Sequence, residues 1–145
     1  MRLLPFSLLF FCTTIFAQID TQNRFSSDSR QYFVWSDTSN SYLLRETEFE
    51  HSTIDIREIG SRSNGYIAIS LTDNGRSRLF HGSITAFSVN EKKESTWQMR
   101  SKNMKGKLTY NPTDNNFTFV YDANEKRYLR ILVFSLKEEE EVSKE

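Results

Sequence analysis

"YIAISLTDNGRSRLFHGS", Tyr66–Ser83, decides the fold. Asn74-Gly75 lies between two alternating runs, and both residues tolerate positive φ. That pair is the strongest short-range signal for a β-hairpin. A two-residue loop sets Asp73 opposite Arg76, an opposite-charge pair. It also sets Ile69 opposite Phe80, Ile67 opposite Gly82 and Ala68 opposite His81. Ile67, Ile69, Leu71 and Phe80 then share one face, and Tyr66, Ser70, Leu79 and His81 the other. A three-residue loop would slip the register by one and turn His81 to the apolar face. The two-residue loop is preferred because it groups more apolar bulk.

The same theme runs from Gln31 to Leu136. Short stretches rich in aromatic and β-branched residues are separated by Asn, Asp, Gly and Ser clusters. "QYFVWS", "YLLRETEFE", "STIDIREI", "STWQMRS", "KGKLTY", "FTFVY" and "RYLRILVFSL" all read as strands, and no segment keeps a helical period. The "RETEFE" and "DIRE" segments read as solvated strand faces. Short links favour antiparallel sequential neighbours. The predicted fold is all-β, an antiparallel meander of about eight or nine strands closing into a barrel or half-open barrel, with a β-sandwich as the alternative. "RYLRILVFSL" is apolar on both faces, which predicts cover from the N-terminal segment or from another chain.

The N-terminus has the layout of a secretory signal peptide. Arg2 precedes an apolar run from Leu3 to Phe16, and Ala17 suits a cleavage site. The run is shorter than the roughly 20 residues that span a bilayer as a helix. Residues 1–17 are therefore expected to be removed, leaving no transmembrane span and a periplasmic or extracellular protein. The only cysteine, Cys12, lies in that segment. Disulfides, thiol catalysis and cysteine-based zinc sites are then excluded from the mature chain. Residues 18–30 are polar and read as a flexible lead-in, 31–136 as a single β domain, and 137–145, "KEEEEVSKE", as an acidic disordered tail.

Charge gives no excess pointing to nucleic acid, with 19 basic and 19 acidic residues. The local basic run "MRSKNMKGK" reads as a soluble turn. His81 and Ser83 share a strand face about 6.5–7 Å apart, too far for a ready-made dyad. No Gly-x-Ser-x-Gly is present, and His51 and His81 have no close metal-ligand spacing. No catalytic, metal or cofactor site is predicted. The aromatic content carries the remaining signal. Trp35, Trp97, His81, Phe119 and Tyr121 are the candidates for facing a ligand or partner. The expected function is non-enzymatic binding, of an apolar or amphipathic small molecule in a barrel lumen or of a protein along a strand edge or face such as Arg127–Leu136. A small hydrolase with dispersed acids is the remaining alternative.

Overall fold

The computed structural model describes residues 19–137, which form an all-β fold. The strands are β1 (Ile19–Ser36), β2 (Ser41–Glu48), β3 (Ser52–Asp73), β4 (Arg76–Val89), β5 (Ser95–Arg100), β6 (Lys105–Asn111), β7 (Asn116–Ala123) and β8 (Tyr128–Leu136). From β3 onward each strand pairs with its successor, and β1 closes the sheet by pairing with β8. β3 is a hairpin in itself. Its first arm, residues 52–60, pairs with β1, and its second, residues 65–73, pairs with β4. The arms lie side by side, since Thr72 N–H donates to His51 O at 3.1 Å. A Cβ on Gly65 would fall 1.9 Å from Arg57 O, so only glycine fits where the arms first meet. Counting the arms separately, eight strands close the barrel. β2 is an extra strand on the upper part of β1. The signal-peptide reading of 1–17 lies outside the described residues, as does the acidic tail beyond Lys137.

The β3–β4 hairpin has the two-residue register, with Asp73 opposite Arg76 and Ala68 opposite His81. Asn74 and Gly75 have φ of 51° and 77°, the positive pair that a type I′ turn requires. The ion pair is displaced by one step: Asp73 meets Arg78 at 3.5 Å rather than Arg76. Arg78 reaches back over the mouth of the barrel, where Asp73 is half-buried.

Inward-facing residues fill the interior. Ile67, Ile69, Leu108, Phe117, Phe119 and Phe134 are wholly buried. Phe119 stacks on Tyr121 with ring centroids 5.0 Å apart, and Phe80 closes on Tyr121 at 4.9 Å. The lumen expected for an apolar ligand is thus occupied by the protein's own side chains. Among the described residues, open pockets lie toward the barrel ends.

Two bulges set which residues face inward. In β1 the register with β8 shifts between Ser27 and Ser29. Parity therefore changes at Asp28, and Ser27 and Arg30, three residues apart, are both buried. In β4 the shift between Ile84 and Ala86 lets Phe80 and Phe87 both pack on the core. The segment 18–30, expected as a flexible lead-in, is strand from Ile19 onward. Its polar residues satisfy a ladder with β3, and Phe25 packs edge-on against Phe117 at 4.9 Å. β8 is likewise no free edge, because β7 and β1 flank it in the sheet; Leu132 and Phe134 face the core, while Leu129, Ile131 and Val133 on its other face are only half-buried.

Candidate functional site

The barrel has an upper end, carrying the Asn74-Gly75 turn, and a lower end, carrying the bend at residues 61–64. At the upper end the wall is incomplete. β4 meets β5 only from Ser83 onward, while β3 pairs with β4 from Arg76. Residues 76–82 of β4 therefore have one unpaired edge. β5 and β6 turn back early, through residues 101–104, and β7 runs on past its last β6 partner at Tyr121. The result is a notch of about 580 Å³ between β4 and β7, floored by the β5–β6 turn and lined by Phe80, His81, Met104, Lys105, Tyr121 and Asp122 among others.

The register of the hairpin states which backbone groups face the notch. A two-residue turn makes the flanking pair 73–76 hydrogen-bonded, and bonded and non-bonded pairs then alternate. Arg78 and Phe80 bond back to β3. Ser77, Leu79 and His81 turn their N–H and C=O groups to the open edge. Lys105 lines the notch, and Arg76 of β4 and Lys102 of the β5–β6 turn belong to the elements that border it; all three are exposed, and none of them pairs with a carboxylate among the described residues. The basic run read as a soluble turn thus forms the floor and rim of an opening. Across the notch, Asp122 is held by Arg130 at 3.0 Å. Burial pushes the Tyr121 hydroxyl upward, and Tyr32 adds to the shift.

Below this rim the mouth is closed by charge. Arg30, only 2 % exposed, donates to Ser52 Oγ at 3.1 Å and also to Glu48 and to Thr72 O. Burial raises the Glu48 carboxyl above its ordinary range, and its hydrogen bond with Glu46 adds to this, while Arg30 offsets part of it. Glu48, Glu50 and Asp73 bring carboxylate oxygens within 4.8 Å of one another. Each is already engaged: Glu48 by Arg30, Asp73 by Arg78, and Glu50 by Asn74 N–H at 3.1 Å. The space beside them is about 120 Å³. The converging acids thus lie at the barrel mouth, each held by a partner of the barrel itself.

Of the five residues singled out from sequence, the structure brings two together. His81 and Tyr121 both line the notch. His81 points outward beside Tyr66, at 5.8 Å between ring centroids. Trp97 and Phe119 are core residues. Trp35 lies on the outer face, under the Arg127 guanidinium at 3.7 Å and bonded to Asp37 at 3.0 Å, which assigns it to bracing the β1–β2 turn. His51 engages Asp28 at 3.4 Å and has no part in the notch. The sequence reading missed Leu79, Lys102 and Lys105. The register was available to place Leu79 on the edge side, but nothing local announces where β5 stops.

An eight-stranded, side-chain-filled barrel with a gap in its wall is the class of protein that this fold and site define. Comparisons with family models, with curated proteins and with solved structures find no match.

Proposed function

We propose that this chain is an exported, non-enzymatic binding protein that takes an extended, acidic peptide segment along the open edge of β4. The observation that carries the reading is the run from Arg76 to Gly82, paired on one edge only and bordering a notch of about 580 Å³. Strand addition supplies affinity through main-chain hydrogen bonds and specificity through alternate side chains. Ser77, Leu79 and His81 offer the bonds. Arg76, Lys102 and Lys105 favour carboxylates on the incoming strand and steer its approach. A filled interior supports a surface mode over a lumenal one.

The test is titration of the isotope-labelled protein with a capped peptide of alternating Val and Glu, followed by amide spectra. Expected are saturable shifts at Ser77, Leu79 and His81, weakened by added salt. Leu79→Pro removes one edge donor without touching the β3 ladder, so the variant should fold and lose binding. Unchanged binding by Leu79→Pro, or shifts confined to other strands, would overturn the proposal.

A further inference from the structure

We infer a second binding site at the lower end of the barrel, for a small amphipathic carboxylate. The argument starts from one atom. Trp97 is 4 % exposed, and its Nε1–H has no hydrogen-bond partner among the described residues. Buried donors in folded proteins are nearly always satisfied, and an orphan is destabilising. Trp97 was placed here by its strand: it sits between Phe87 of β4 and Leu108 of β6 and faces inward.

The indole forms part of the wall of an open pocket of about 270 Å³. Phe25, Ile56 and Phe117 supply its apolar surface, and Tyr110 stands beside them. Two further side chains make the pocket selective. Glu58 lies inward in series with Ile54 and Ile56 and is 5 % exposed. Its Oε2 accepts from Arg62 Nε at 3.0 Å. The Arg62 guanidinium in turn lies 4.0 Å from the Phe87 ring centroid and 5.5 Å from that of Trp97. Glu58 thus holds Arg62 over the aromatic wall, and Lys93 stands at the same opening. The pocket joins an apolar floor to an indole with an unspent N–H and to Lys93, with the Arg62 guanidinium held at its wall by the Glu58 carboxylate. That set matches an apolar body ending in a carboxylate, its oxygen accepting from Trp97 Nε1. The site is remote from the notch, shares no residue with it, and stands independently of the peptide-binding reading.

The test uses the full mature chain with octanoate and 4-phenylbutyrate as probes and octanol as the uncharged control. The indole N–H resonance of Trp97 is followed, and that of Trp35 serves as the internal reference. Expected is a saturable shift of the Trp97 signal alone with either acid. Trp97→Phe removes the donor while keeping an aromatic core residue, and should weaken binding tenfold or more with the fold intact. Arg62→Gln should weaken the acids and leave octanol unaffected. Equal binding of octanol and octanoate would overturn the carboxylate assignment. No shift at millimolar acid, in a protein whose Trp97→Phe variant is equally folded, would overturn the site.

Discussion

Arg30 is a guanidinium placed where the barrel would otherwise admit water. Its three partners, Ser52 Oγ, the Glu48 carboxylate and Thr72 O, come from three different segments, so one side chain ties β1 to β2 and to both arms of β3. Removing one member of such a buried pair strands the other, at about 3–5 kcal/mol. Arg30→Ala is expected to lose that much in urea unfolding. Arg30→Lys should recover only part of it, since an ammonium cannot fork between partners. Glu48 gives a pH signature. A carboxyl group whose folded pKa exceeds its unfolded one favours folding while protonated. That contribution is full below the unfolded pKa and is lost as pH rises through the folded one. Because burial raises Glu48, stability should fall as pH climbs out of the ordinary carboxylate range. Glu48→Gln keeps the uncharged form at every pH. Whatever its constant offset from removing the carboxylate beside Arg30, the variant should lose this slope, so its gap from wild type should change with pH, read as thermal midpoints over a pH series. A gap independent of pH would remove Glu48 as the titrating group. Neither residue was legible beforehand. Arg30 sat in a polar stretch, and only the bulge at Asp28 turns it inward. Glu58 was more accessible to reasoning, for it shares parity with Ile54 and Ile56. The neighbouring Ile59 instead points out, 42 % exposed.

At the scale of the element, the hairpin shows what sequence can specify. Asn74-Gly75 sets the turn, the turn sets the register, and the register sets the face of His81 and the direction of each amide. Those steps are local, and the structure follows them. The length of β4's free edge is not local. It depends on where β5 ends at Arg100, with Gly82 pressed against that residue's backbone so closely that a Cβ would come within 2.9 Å of it. The lower part of β1 was illegible for a related reason: from Asp20 to Arg30 only Phe25 is a large apolar residue, so no alternation marks a strand. The edge predicts a pattern in hydrogen exchange. In the unliganded protein Ser77, Leu79 and His81 should exchange faster than Arg78 and Phe80, whose amides bond across to β3. A bound strand should slow the first set and leave the second unchanged. Arg78→Pro, which removes a ladder donor, should destabilise more than Leu79→Pro.

The whole molecule depends on closure. β1 is the only strand pairing with three others: β3 through its lower part, β8 and β2 through its upper part. At the crossing point Ser27 is buried, and its Oγ lies 2.6 Å from Ser135 O and 2.7 Å from Ser29 O. A barrel without edges hides every ladder group, but a barrel missing half of one strand exposes two edges and its core at once. A chain beginning at Gln31, the boundary that composition alone suggests, would lose Phe25, Ser27 and Arg30 together. It would also strip the β1 ladder from the first arm of β3, which carries Ile54 and Ile56. Such a chain is expected to lose cooperative unfolding and to aggregate, whereas one beginning at Ile19 should unfold in a single transition. Phe25→Ala separates packing from pairing in the same segment. It keeps the β1–β3 ladder and removes the contact with Phe117, so it should cost about 3 kcal/mol while preserving a single transition. If the Gln31 chain instead unfolded cooperatively near the stability of the longer one, β1's lower part would be an accessory to the barrel, and the closure argument would fail.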